Sequence, residues 1–218
     1  MPKAIIFDLD GTILLNEPVY CAAFKTVLET LVKTTSGPCP QIVGLALEEN
    51  WTALIKKHQI KTDKTPAELA LATQQEYLKH LGKVRLAPGL LSLLDDLKSH
   101  HWLTALATSN NWWLVEAEID HFRLENQFNC ITTREEALFP KPAPNIFLET
   151  AEKLQIEPAK CIVIENSVIG IEAALAAGMK AVAITWPEQP KDVFISAGAH
   201  LIVSSLTELN SENLATLI

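Results

Sequence analysis

Asp8 and Asp10 flank a single leucine directly after the apolar run Ala4-Ile5-Ile6-Phe7, and Gly11 and Thr12 follow at once. A short run without a polar residue reads as a strand covered on both faces. In open α/β sheets, ligands bind just beyond the carboxyl ends of such strands. With one residue between them in extended geometry, the two carboxylates start out on the same side and can share one substrate or one metal ion. Gly11 then lets the backbone turn sharply away. A solvated turn and the start of a calcium loop are the other readings of Asp-x-Asp-Gly, but a calcium loop needs further oxygen ligands and a late Glu that do not follow here.

Other strand ends read from the sequence carry polar chemistry too. Leu103-Thr104-Ala105-Leu106-Ala107 runs into Thr108-Ser109-Asn110, and Cys161-Ile162-Val163-Ile164 runs into Glu165-Asn166-Ser167. Between them lies Lys141, boxed by Pro140 and Pro142, whose restricted φ angles hold a cation in one place. Singly, these pieces are ordinary: a helix cap, a solvated loop, a turn. Their order and their shared location at strand ends set them apart.

Taken together these segments resemble the four motifs of the haloacid dehalogenase superfamily of phosphotransferases and phosphatases. Asp8 to Thr12 looks like the first motif, Thr108-Ser109 the second and Lys141 in Lys-Pro-Ala-Pro the third. Glu165-Asn166-Ser167 with Gly170, Ala173, Ala174, Ala177 and Gly178 looks like the fourth. The resemblance spans nearly the whole chain and is nearest to the subgroup of β-phosphoglucomutase and phosphoglycolate phosphatase. It implies a Rossmann-like α/β core, a mostly parallel sheet with helices on both faces, and an inserted α-helical cap that closes over the core site.

The resemblance also implies roles. Asp8 is the nucleophile candidate, because a carboxylate can attack phosphorus and split one hard displacement into two easier ones. Asp10 is the acid and base, which protonates the leaving alkoxide and later deprotonates water. Thr108 and Lys141 hold oxygens of the transferred group, whose charge needs donors and cations at fixed positions, and Lys141 can also orient Asp8. Mg²⁺ is the expected cofactor, held by Asp8, the Asp10 main-chain carbonyl, Glu165 and Asn166, since a hard ion prefers oxygen. Substrate contacts are expected from Ser109, Asn110 and Gly44, the last on the loop from Ser36 to Gly44. Trp112 and Trp113 flank the same mouth, although helix-start aromatics more often pack into a core or interface.

Two departures bear on the reaction. The fourth motif usually offers a pair of acids, whereas Glu165 is followed here by Asn166, an oxygen donor with one less negative charge. Weaker metal binding is the expectation, and a phosphometabolite-binding protein that has lost turnover is the alternative from another class. Mutases of the subgroup carry a His and an Arg on the cap that engage a sugar phosphate, and Tyr20 and Leu47 align with them. Hydrolysis of a small phosphate ester is therefore favoured over sugar-phosphate mutase chemistry.

The elements that must position these residues are legible as periodicity. Glu17 to Lys33, Leu45 to His58 and a segment opened by the capping box Thr65-Pro66-Ala67-Glu68 are helical, so 17–82 forms the cap and 1–16 with 83–218 the core. The remainder alternates: helices at 89–98, 145–154 and 168–178, strands at 129–131, 181–184 and 201–203. A chain of 218 residues with 48% hydrophobic residues can bury a substantial core. Its formal charge of −8 argues against nucleic acid or anionic membrane as partner. Cys21, Cys39, Cys130 and Cys161 lack metal or disulfide-scaffold spacing and read as reduced thiols. With no room for a signal peptide before the first strand and no bilayer-length apolar stretch, a cytoplasmic monomer or homodimer is expected.

Overall fold

The computed structural model describes residues 3–32, 39, 45–186 and 189–218. The chain divides into two compact units, Met1–Leu14 with Leu86–Ile218 and, inserted between them, Leu15–Arg85. In chain order, β1 (Ala4–Phe7) is followed by α1 (Glu17–Glu29), α2 (Leu47–His58), α3 (Pro66–Leu78) and α4 (Leu90–Ser99). Then come β2 (Leu103–Ala107), α5 (Trp112–Phe122), β3 (Cys130–Thr132), α6 (Asn145–Leu154), β4 (Cys161–Glu165) and α7 (Val168–Ala176). The chain ends with β5 (Lys180–Ile184), α8 (Lys191–Ser196), β6 (Leu201–Val203) and α9 (Ser211–Ala215).

The strands form one sheet in the order β3-β2-β1-β4-β5-β6, and every neighbouring pair is parallel. The chain steps outward from β1 to β3, then returns to the other side of β1 with β4. That reversal opens the crevice in which doubly wound sheets bind ligands. Phe7 is in register with both Leu106 and Ile164, so the residues that follow β1, β2 and β4 emerge at one level. Strand alternation divides the core. Ala4 and Ile6 pack in a cluster with Ala105, Val163, Phe147 of α6 and Ile171 of α7, whereas Ile5 and Phe7, equally buried, face the other layer.

In the inserted unit, α3 starts as its sequence requires. Thr65 Oγ1 accepts from the Glu68 N–H at 3.2 Å, and the Thr65 N–H donates to Glu68 Oε2 at 2.7 Å. Its core is aromatic: Phe24 stacks on Trp51 with centroids 4.2 Å apart, Tyr20 stacks on Tyr77 at 4.0 Å, and Trp51 Nε1 donates to Thr73 Oγ1 at 3.0 Å. Helix α1 stops at Glu29, short of Lys33, and β4 takes in Glu165. Helices α8 and α9 have six and five residues, too few for a period to show in the sequence. Among the described residues no helix is long and apolar enough to cross a membrane.

The expectation of four reduced thiols is corrected. Cys21 and Cys39 form a disulfide, with Cα atoms 5.6 Å apart across a sequence separation of 18. One half sits on α1 and the other lies past its last residue, Glu29, so sequence spacing carries no sign of their approach. Cys130 and Cys161 are free thiols. Burial pushes the Cys161 thiol up to about 12, so it is inert.

Candidate active site

One residue past β1, the ladder continues: the Asp8 N–H donates to the Ile164 carbonyl at 3.0 Å. This bond sets Asp8 beside the end of β4, where Glu165 is the last strand residue. Lys141 joins them. Its Nζ lies 2.6 Å from Asp8 Oδ1 and 2.7 Å from Glu165 Oε1, and all three residues are at most 7% exposed. Its ammonium also stands 5.1 Å from the Phe147 ring centroid. Burial disfavours the charged lysine, but the two carboxylates outweigh it and hold its pKa above the ordinary value. Burial and the nearby Glu165 push the Asp8 carboxyl well above its usual range, against the pull of Lys141.

The other Glu165 oxygen is also occupied. Oε2 accepts from the Ser167 N–H at 2.8 Å and from Ser167 Oγ at 2.9 Å, while Ser167 Oγ accepts from the Gly170 N–H as N-cap of α7. A Cβ at Gly170 would stand 1.8 Å from Glu165 Oε1, so the helix can pass this close only with glycine there. Glu165 therefore anchors Lys141. Its expected part as a direct metal ligand has to share an oxygen already engaged.

Asp10 follows in the turn, where Gly11 has φ +72°. Asn110 Nδ2 donates to Asp10 Oδ2 at 2.8 Å. The Asn110 N–H donates to Thr108 Oγ1 at 3.2 Å and its carbonyl accepts from the Arg134 N–H at 3.0 Å, so its backbone is held on both sides. Asn110, expected on substrate, gives one amide hydrogen bond to Asp10. Thr108 extends the β2–β3 ladder through its N–H to the Thr132 carbonyl at 3.0 Å. Its hydroxyl accepts from Asn110, which leaves the hydroxyl proton for an anionic oxygen. Ser109 is half-buried beside it. Gly44 lies outside the described residues. Trp112 is 46% exposed with its N–H on the Glu135 carboxylate at 3.0 Å, and Trp113 is half-buried, so neither tryptophan sits in the core.

Asn166 is 2% exposed. Its Oδ1 accepts from Thr12 Oγ1 at 3.4 Å, which also reaches Asp8 Oδ2 at 3.4 Å. Its Nδ2 has no hydrogen-bond partner among the described residues. A half-turn of the amide exchanges the two ends, giving Thr12 a donor and turning a carbonyl oxygen to the unpartnered side. Among the described residues no three of His, Cys, Asp and Glu gather as a ready metal nest. The surroundings nevertheless fit an oxygen-bound divalent cation: two buried carboxylates share one ammonium, leaving excess negative charge, and a buried amide has an unused end.

Sequence reasoning gave no role to Trp186 and Gln189. Trp186 Nε1 donates to the Gly11 carbonyl at 2.8 Å and Gln189 Nε2 donates to the Asn166 carbonyl at 3.4 Å. The available signal was positional, since both follow β5 at the same edge of the sheet.

A model of the haloacid dehalogenase-like hydrolase family matches residues 5–184. The fructose-1-phosphate phosphatase YqaB of Escherichia coli (strain K12) is 31% identical over 82% of this chain and 94% of its own length. The bifunctional riboflavin kinase/FMN phosphatase of Arabidopsis thaliana is 30% identical over 97% of this chain, which spans only 55% of that longer protein. Among solved structures, β-phosphoglucomutase from Clostridium difficile superposes with a TM-score of 0.85 over all of this chain and 97% of its own, at 23% identity. That last likeness concerns the fold alone.

Proposed function

The chain belongs to the haloacid dehalogenase-like hydrolases, and from that membership we propose that it is a Mg²⁺-dependent phosphatase of a small phosphorylated metabolite, working through an aspartyl phosphate. Phosphatase relatives along its length support a phosphoric monoester hydrolase. The observation that carries the mechanism is the buried contact of Lys141 with Asp8 and Glu165, beside an Asp10 carboxylate held by Asn110.

In the first half-reaction an Asp8 oxygen attacks phosphorus, a bond forms between them, and the bond from phosphorus to the ester oxygen breaks as Asp10 gives that oxygen a proton. Lys141 orients Asp8 and, with the Thr108 hydroxyl, offers donors to the phosphoryl oxygens. In the second half Asp10 takes a proton from water, the water oxygen attacks phosphorus, and Asp8 leaves as carboxylate. Asp8, the Asp10 main-chain carbonyl and the Asn166 amide oxygen would hold Mg²⁺, with Glu165 behind them on Lys141. When bound, the ion neutralises charge on the phosphoryl group. Release of phosphate from a panel of phosphorylated metabolites, with and without Mg²⁺, tests the reading. No release from any ester would overturn it.

Hydrolysis rather than phosphoryl shuttling is supported by the residues that align with the mutase clamp. Tyr20 is stacked on Tyr77 and buried, and Leu47 is buried at the start of α2. Hexose 1-phosphates should yield free phosphate or remain intact, and phosphorus NMR of the mixture checks this. Appearance of the 6-phosphate isomer, primed by a bisphosphate, would make mutase chemistry the better account.

The neutral Asn166 makes a further expectation. Asn166→Asp restores a formal charge beside the cation, and the attraction should exceed the added cost of stripping water from the carboxylate. The half-saturating Mg²⁺ concentration should fall about tenfold, or ~1.4 kcal/mol. An unchanged value in a Mg²⁺ titration would remove Asn166 from the metal-holding set.

A further inference from the structure

We propose that Trp186 and Gln189 are positioning residues that brace the two loops carrying the candidate site, one grip on the Gly11 carbonyl and one on the Asn166 carbonyl. The two braces are tied to each other: the Trp186 N–H donates to Gln189 Oε1 at 3.2 Å and the Gln189 N–H donates to the Trp186 carbonyl at 2.9 Å. Their anchor is the sheet itself, because the Thr185 N–H donates to the Val203 carbonyl at 2.8 Å.

The Gly11 contact matters because of what the neighbouring peptide planes do. The Gly11 N–H donates to the Leu14 carbonyl at 2.8 Å, so in a trans peptide the Asp10 carbonyl points the opposite way, away from Leu14. On the other side of Gly11, the Thr12 N–H reaches back to the Leu9 carbonyl at 3.3 Å, a long bond, while the Gly11 carbonyl of the same plane goes to the Trp186 indole at 2.8 Å. Glycine has the widest conformational freedom of any residue, and at φ +72° nothing in its own side chain restricts it. The indole therefore supplies the shorter of the two bonds on the plane that carries Thr12, whose hydroxyl touches both Asp8 and Asn166. Gln189 does the corresponding service on the β4 side, where the Asn166 carbonyl precedes Ser167, the residue that holds Glu165. A misplacement well below the length of a hydrogen bond is enough to slow an in-line displacement.

The kinetic arm of this proposal rests on the phosphatase reading, and the exchange arm does not. Trp186→Phe keeps a ring and removes only the indole N–H, and Gln189→Leu removes both polar ends of the second grip. Hydrogen–deuterium exchange of the amides in residues 9–14 should quicken about fivefold in Trp186→Phe, the equivalent of one neutral hydrogen bond. Gln189→Leu should do the same in residues 166–168. On a phosphate ester that wild type turns over, kcat should fall about fivefold with KM within about twofold, the pattern of lost positioning rather than lost binding. Unchanged exchange in both segments overturns the brace, as does a rise in KM at constant kcat. If Trp186→Phe does not fold, Gln189→Leu decides by the same criteria. Quickened exchange in a protein whose wild type releases no phosphate from any ester upholds the brace and sinks the phosphatase reading.

Discussion

Asp8→Asn protein is expected to release phosphate at least about 10⁴-fold more slowly than wild type while folding normally. The amide matches the carboxylate in shape but lacks the anionic oxygen proposed to attack phosphorus, and Lys141 keeps its bond to Glu165. Stability should move the other way. Burial and Glu165 raise the Asp8 carboxyl well above its unfolded value, so its contribution to stability is complete below that unfolded value and is lost as pH rises through the raised one. The variant has no such group to lose. Without metal its unfolding temperature should equal or exceed that of wild type near neutral pH, and the advantage should vanish in acid. Thermal unfolding in chelator across pH, beside phosphate release from a responsive ester, makes the comparison. Activity above about 1% of wild type would remove Asp8 from the role of nucleophile.

The strand that positions Asp8 was legible to the residue, because four consecutive apolar side chains ended by two carboxylates leave little choice of boundary. The same holds for the start of α3, whose capping box is a local signal that the backbone obeys. Across the chain, the approach of Lys141 to Asp8 was legible, and other partners were not. Asn110 reads as a mouth residue, and its actual partner, Asp10, lies 100 positions away. Only the parallel register of β1 with β2 brings them together. Glu165 is expected as a metal ligand from the family resemblance. That its two oxygens also meet Lys141 and Ser167 was not legible, an arrangement set by how closely α7 approaches over Gly170. Cys21 and Cys39 fail for the same reason, since no pattern in either segment records the other. What periodicity and turn chemistry show is where side chains leave the scaffold; which of them meet depends on register and packing.

Lys141 is the residue on which packing and chemistry coincide, and Lys141→Met should cost both. The thioether fills much of the stem's volume, so the loss isolates the ammonium. Two carboxylates would then remain buried without their shared cation, and breaking a buried pair in this way costs about 3–5 kcal/mol of stability. Phosphate release should fall about 10³-fold, because the cation that holds Asp8 and that is proposed to meet the phosphoryl oxygens is gone. The pH dependence separates charge from packing. In the variant Lys141 no longer opposes burial at Asp8, so Asp8 would bind its proton still more tightly in the folded state, and stability would be lost as pH rises through its raised value. The deficit against wild type should therefore be small near pH 5 and large near pH 8, whereas a packing defect would be the same at both. Lys141→Arg, which keeps the charge but not the compact ammonium that fits between Asp8 and Glu165, should recover part of the stability and little of the activity. Urea unfolding of the three proteins at both pH values decides. A Lys141→Met protein as stable as wild type at the higher pH would mean that the two carboxylates do not depend on this ammonium, and the electrostatic basis of the candidate site would have to be sought elsewhere.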